Sequence, residues 1–186
     1  GMVFIKDGNI IDCGEAIDLS SVQAKKVIDA KSKIILPGLI NAHTHLPMSM
    51  FRGFADDLPH GIWLNEHIFP AEATQLNPES VEKFSRLSIQ EILLSGTTTI
   101  CDGYFYEHHI AKSVLESGIR GVLGHGVIDF PAPGVPDPGK NIQVSQDFVI
   151  EWKDKSSLIS PSIFCHSPYT CSEQTLQNAK KKADAL

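Results

Sequence analysis

The chain has 186 residues, enough for one domain with a substantial core. Hydrophobic residues make up 42% and charged residues 20%, the balance of an ordinary globular protein and not of a disordered one. A net charge of −6 argues against a nucleic-acid partner, and the lack of any apolar run near the roughly 20 residues of a membrane span argues against a membrane one.

At the N-terminus, Gly1 ahead of Met2 reads as a remnant of tag cleavage. A strand-like segment follows instead of a signal peptide's charged start and apolar stretch. Cys13, Cys101, Cys165 and Cys171 form no CxxC pair. Read as buried, reduced thiols, they predict a cytoplasmic location. Val3-Phe4-Ile5 and Asn9-Ile10-Ile11 flank Lys6-Asp7-Gly8, a hairpin signal. Val27-Ile28-Asp29 and Lys33-Ile34-Ile35 flank a second polar turn, Ala30-Lys31-Ser32. Together these segments predict a partial small β-sandwich over residues 1–36.

Next comes an apolar run, Ile34-Ile35-Leu36, that leads through Pro37-Gly38-Leu39-Ile40-Asn41-Ala42 into His43-Thr44-His45. Residues two apart on a strand point the same way, so His43 and His45 project together from its far end. Two converging imidazoles are half of a divalent-metal site. A strand apolar throughout suits a parallel barrel, whose enzymes keep their chemistry at the C-terminal ends of the strands. Leu46 to Asn77 is too long for a plain connection and carries Phe51, Phe54, Trp63 and Phe69, which predicts a functional loop over the barrel mouth.

Asn77-Pro78-Glu79 opens a helix with a capping Asn, Pro at the first helical position and an acidic first turn. Val81, Phe84, Leu87 and Ile92 are its predicted inner face, and Gly96 ends it. Thr97 to Cys101 reads as the second strand and Asp102 ends it, either as a turn aspartate or as a residue that supports the site from behind. A helix from Glu107 to Ser117 closes at Gly118. The third strand runs from Gly121 to Ile128 with His125 inside it. Phe130 to Lys140 holds four prolines and predicts irregular structure. The third helix lies within Val144 to Lys155, and the fourth strand is Ile159 to Cys165. Thr170 and Glu173 have capping-box spacing ahead of a last helix whose predicted stripe is Leu176, Ala179, Ala183 and Leu186. His60, His67, His108 and His109 read as solvated or loop residues. Four βα units in series predict a parallel sheet, about half of an eight-unit barrel, over residues 37–186.

Four strings carry a resemblance: PGLINAHTHLPMSMFRG, WLNEHIFPAEA, SGTTTICDG and HSPYTCS. In this order they resemble the amidohydrolase superfamily, and within it the deaminases of S-adenosylhomocysteine and methylthioadenosine and the related s-triazine chlorohydrolases. The resemblance implies an α/β fold, the N-terminal part of a metal-dependent (β/α)8 TIM-barrel hydrolase preceded by the partial β-sandwich. It implies a divalent metal, zinc first and iron second, with His43 and His45 as ligands. It implies substrate binding by Trp63 against a purine, Glu72 on ribose hydroxyls, and His166 at the end of the fourth strand. In the family, further ligands come from a histidine on the fifth strand and an aspartate on the eighth, with a proton-handling glutamate shortly after that histidine. No catalytic acid or base is therefore assigned in this chain; these are expected beyond Leu186. The arginines are Arg52, Arg86 and Arg120, none in the Phe130–Lys140 loop, although Lys140 offers a point charge. That weighs against an amino-acid tail on the substrate, and a smaller nucleoside or an s-triazine-like heterocycle fits no worse. The expected function is hydrolysis of a ring C–N or C–Cl bond. Two alternatives stand beside it: an inactive half-barrel fragment that self-associates through its open sheet edges, and a nucleoside-binding module without metal.

Overall fold

The computed structural model describes residues 1–15 and 23–186. The chain divides into two compact units, Gly1–Leu36 and Pro37–Leu186.

The first unit contains an antiparallel hairpin, β1 (Met2–Lys6) and β2 (Asn9–Gly14), as the Lys6-Asp7-Gly8 signal predicts. Its turn places Asp7 (φ 50°) and Gly8 (φ 78°) in the left-handed region, where Gly and Asp are at home. The predicted second pair of strands does not form. The Ala30-Lys31-Ser32 turn is present, with Lys33 N–H donating to the Ala30 carbonyl (3.1 Å), but residues 27–29 and 33–36 on either side have no regular structure. A strand is held by its ladder, and among the described residues these runs have no ladder partner. Among the described residues the sheet of this unit has two strands. Residues 16–22 of the predicted sandwich lie outside the described residues.

The second unit is an α/β layer around a four-stranded parallel sheet in the order β3 (Leu39–Thr44), β4 (Thr97–Tyr104), β5 (Arg120–Val127), β6 (Ile159–Cys165). This is the strand order of consecutive units in a (β/α)8 barrel, of which the chain forms the N-terminal part. The strand that carries His43 begins at Leu39, so Ile34-Ile35-Leu36 leads to it without being in it. Strand β4 extends three residues past the predicted end, because Asp102, Gly103 and Tyr104 keep their register with Leu123, Gly124 and His125. Asp102 is thus inside a strand and not in a turn.

Between β3 and β4, the predicted loop is mostly helical. A 3-10 turn (Leu46–Phe51) is followed by α1 (His60–Ile62), which runs on through a π-helical turn (Trp63–Ile68) into α2 (Phe69–Gln75). Helix α3 (Pro78–Leu94) starts at Asn77, whose side chain accepts from Ser80 N–H while Ser80 Oγ accepts from Asn77 N–H, each at 3.0 Å. Helices α4 (Glu107–Ser117), α5 (Asn141–Trp152) and α6 (Glu173–Asp184) follow β4, β5 and β6. Gly118 closes α4 in the left-handed region (φ 73°). The N-cap of α6 is Ser172, whose Oγ accepts from Thr175 N–H; Thr170 is spent on His166 and Ser167 instead.

The core lies between the sheet and its helices. Ile100, Leu123 and Ile159 from the strands meet Val81 and Ile89 of α3, Ile110 and Val114 of α4, and Phe148 and Trp152 of α5. On α3, Ser85 and Ser88 are buried where Leu87 was expected, and Leu87 is exposed. On α6, Ala179 is buried, whereas Ala183 and Leu186 are exposed. Only Cys171 is a buried thiol. Cys13 and Cys101 are exposed and Cys165 is intermediate, because the hairpin buries little of β2 and Cys101 points away from the helices. All four cysteines are free. No described helix is long and apolar enough to cross a membrane.

The reciprocal cap on α3 gives the first prediction. Replacing Asn77 by Ala removes the acceptor for Ser80 N–H and is expected to cost about 1 kcal/mol, read as a lower urea midpoint with an unchanged slope.

Candidate metal and substrate site

Because the four large strands are parallel, their C-terminal ends share one edge of the sheet. The sequence-predicted histidines of β3 and β6 stand there. His43 is on β3, and His45 lies one residue past its end. The two rings face each other edge-on, with centroids 4.9 Å apart at 83°, and their Nε2 atoms are 3.1 Å apart. Two nitrogens on one tetrahedral zinc stand about 3.3 Å apart, given Zn–N bonds of about 2.0–2.1 Å. The pair therefore has the bite of a chelate.

The tautomer of His45 supports this. Its Nδ1 lies 2.6 Å from the Gly103 carbonyl, which only accepts, so Nδ1 carries the hydrogen and Nε2 of the neutral ring presents a lone pair. A ligand histidine is commonly fixed in this way. Burial lowers the pKa of His45, and the neighbouring His43 and His166 push in the same direction, against the Gly103 bond. The ring is thus held neutral, the form that binds a cation. Among the described residues no group of three or more His, Cys, Asp or Glu side chains is placed to hold a metal. The donor set here is two imidazoles.

Strand β4 builds the wall behind them. Asp102 is buried, and its Oδ2 accepts from Thr44 Oγ1 (2.6 Å) and from Leu46 N–H (2.8 Å). Its Oδ1 has no partner. Burial outweighs these bonds and raises its pKa to about 7. Tyr104, two residues on, packs its ring 5.7 Å from that of His45, and its hydroxyl donates to Glu72 Oε1 at 2.5 Å. Glu72 is buried on α2, and burial raises its carboxyl to about 7 against the opposing Tyr104 bond. The chain His45–Tyr104–Glu72 thus links the excursion to the histidine pair.

His166 follows β6 directly. Its N–H donates to the Val127 carbonyl (3.1 Å), its Nδ1 pairs with Thr170 Oγ1 (2.8 Å), and burial lowers its pKa. It is near enough to His45 to oppose a charge there. Trp63 is half-buried in the π-helical turn, nine residues before Glu72, with its ring 6.0 Å from that of His60. None of its ring contacts among the described residues reaches the histidine pair.

Sequence reasoning passed over Tyr104 and, for Asp102, preferred a turn residue to one that supports the site. The signal was available: both sit at the C-terminal end of a predicted strand, the criterion that picked out His166. Two other histidines also differ from expectation. His108 and His109 are on α4, where His108 Nδ1 accepts from Trp152 Nε1–H (3.1 Å) and His109 Nδ1 meets Glu82 (2.9 Å). His125 is buried in β5 beneath the helices, and burial lowers its pKa to about 4.

Residues 34–186 match the amidohydrolase family. The chain belongs to that family. A 5-methylthioadenosine/S-adenosylhomocysteine deaminase of Syntrophobacter fumaroxidans is 41% identical over 177 residues, covering 95% of this chain and 40% of its own length. A 5'-deoxyadenosine deaminase of Methanothermobacter thermautotrophicus is 42% identical over 188 residues, covering 99% and 42%. The crystal structure of an adenosine deaminase from Xanthomonas campestris with bound zinc superposes with a TM-score of 0.76 at 37% identity, over 80% of this chain and 34% of that one. The chain spans about two fifths of the length of the curated relatives it matches. Within this amidohydrolase chain, the four strings of the resemblance fall on the His43–His45 strand, the Trp63–Glu72 excursion, the Asp102 strand and the His166 loop.

Glu72 gives a pH-linked prediction. Its folded pKa of about 7 lies above the ordinary 4.5, so between those values the folded chain holds a proton that the unfolded chain has lost. Stability therefore falls as pH rises through that window and is level above it. Glu72→Gln keeps an acceptor for Tyr104 and is expected to flatten the fall by up to about 3 kcal/mol between about pH 5 and about pH 8, measured by urea unfolding at each pH.

Proposed function

We propose that this chain supplies the first metal ligands and the substrate pocket of a metal-dependent aminohydrolase acting on a purine nucleoside. The observation that carries the reading is the 3.1 Å convergence of His43 and His45 Nε2, with the His45 tautomer set by Gly103. Membership of the amidohydrolase family and the nucleoside-deaminase names of its relatives support the substrate class.

A divalent metal, zinc before iron, supplies Lewis-acid activation of water, lowering its pKa to about 7. The residues of this chain do the rest of the positioning. His43 and His45 hold the cation through Nε2. His45 keeps its proton on Nδ1, against Gly103. Glu72 offers a carboxylate to two vicinal hydroxyls of a ribose, with Tyr104 holding one oxygen. Trp63 covers the flat face of the base. His166, neutral through burial, borders the pocket from β6. No residue here is assigned the proton transfers of the reaction.

Two donors are fewer than the three protein ligands usual for catalytic zinc. The chain by itself is accordingly expected to bind zinc weakly, with no turnover. By NMR titration, zinc is expected to perturb the His43 and His45 rings together, and His43→Ala or His45→Ala is expected to abolish the response. Zinc binding unaffected by either substitution would overturn the metal assignment. Calorimetry with 5'-methylthioadenosine against a chloro-s-triazine decides the substrate class. Heat from the nucleoside alone, reduced in Trp63→Ala and Glu72→Ala, is expected. Ammonia release by this chain alone would overturn the assignment of its inactivity.

Self-association belongs to the same proposal. Strands β3 and β6 are the edges of the parallel sheet, with no further strand on either among the described residues, and Leu39 and Ile40 are 60% and 71% exposed. Such edges pair with other strands. Light scattering at micromolar concentration is expected to report a dimer or larger species, and a stable monomer would count against this part of the proposal.

A further inference from the structure

Three hydrogen bonds join a two-residue stretch of β4 to the turn that carries His45. Asp102 Oδ2 accepts from Thr44 Oγ1, the residue before His45, and from Leu46 N–H, the residue after it. Gly103, next in the strand, accepts from His45 Nδ1–H itself. At the same point the chain leaves the β-ladder. Thr44 is the last residue of β3, directly opposite Asp102 in the register, and Leu46 opens the 3-10 turn. His45 lies between with φ −134° and ψ 77°, outside regular strand and helix geometry. One buried carboxyl oxygen therefore holds both neighbours of His45, Thr44 through its side-chain hydroxyl and Leu46 through its backbone N–H. Ser88 Oγ reinforces the arrangement from α3 by donating to the Leu46 carbonyl (2.7 Å).

From this geometry we infer that Asp102 is the positioning residue for His45: it clasps Thr44 and Leu46 so that the ring meets Gly103 through Nδ1 and turns Nε2 toward His43. The inference rests on the metal reading of the histidine pair, but its first readout does not. The carboxylate reaches His45 only through its neighbours, so its loss acts on ring orientation and tautomer and removes no ligand.

The test uses the whole chain labelled with 15N at histidine. In the unsubstituted protein, long-range 1H–15N correlations are expected to show His45 as the single Nδ1–H tautomer. Asp102→Ala is expected to mix the tautomers and to weaken the zinc response of His45 by tenfold or more, the usual size of an effect behind a ligand. Asp102→Asn, which keeps an oxygen in place for Thr44 and Leu46, is expected to restore the tautomer and most of the affinity. Should Asp102→Ala fail to fold, Thr44→Val removes one arm of the clasp at constant shape and is expected to show a smaller shift of the same kind. A folded Asp102→Ala or Thr44→Val chain with an unchanged His45 tautomer would overturn the inference, as would an Asn variant no better than Ala. If the unsubstituted chain shows no zinc response, the metal reading fails, while the tautomer readout still decides the role of Asp102.

Discussion

Everything at the mouth of the sheet depends on the seam between β3 and β4. The two strands are parallel and in register at Thr44 and Asp102, so the end of one lies beside the late residues of the other. The seam fixes the direction of His45 through Gly103 and the backbone around it through Asp102. It also brings Tyr104 against the His45 ring. A slip of one residue would send every side chain of β3 to the opposite face and take both imidazoles from the mouth. The register is also supported by α3, which covers the strands through Val81 and Ile89 and donates from Ser88 Oγ to the Leu46 carbonyl in the turn after β3.

A second constraint acts through glycine. A Cβ on Gly103 would lie 2.5 Å from the Phe164 ring, and one on Gly124 would lie 2.6 Å from Phe164 Cβ. Phe164 thus lies across β5 and β4 on the face away from the helices, and only two glycines side by side in the register admit it. The need at Gly103 is for space, and meeting it leaves the same residue's carbonyl to bind His45. One residue serves the packing of the sheet and the tautomer of His45.

The parallel sheet and its helices were legible in the sequence because local signals agreed with the fold. Asn77-Pro78 starts α3, Gly118 ends α4, and Ile159–Cys165 is a strand over its whole predicted length. The neighbourhood of His43 and His45 was legible from their spacing, but His45 lies past the strand and its ring is directed by Gly103, 58 positions away. What could not be read depended on distant partners. Residues 27–29 and 33–35 have strand composition, but composition does not supply a ladder. Asp102 looks like a turn residue until the register puts it opposite Thr44, 58 positions away. Glu72 and Tyr104 are 32 residues apart, and no periodicity links them. The excursion was expected as a loop because its prolines and aromatics mask helical segments that are short and, at Trp63–Ile68, π-helical.

Buried polar atoms without partners reveal where stability has been given up. Among the described residues Asp102 Oδ1 and Glu107 Oε1 are both unpartnered, and burial, with the nearby Asp102, holds the Glu107 carboxyl well above the usual carboxylate range. Glu107 accepts from Tyr104 N–H, so the two acids support consecutive parts of one strand end, Asp102 toward the His45 turn and Glu107 toward Tyr104. An unpartnered buried polar atom costs about 1–3 kcal/mol, and an apolar pair would pack more cheaply. An apolar pair could not, however, accept from Leu46 and Tyr104 backbone N–H groups, which would then be buried without partners themselves. The two buried acids thus exchange a cost on their own second oxygens for fixed backbone at Leu46 and Tyr104, beside His45 and Glu72. A departure from good core chemistry located this close to the strand ends is where function is expected to override stability.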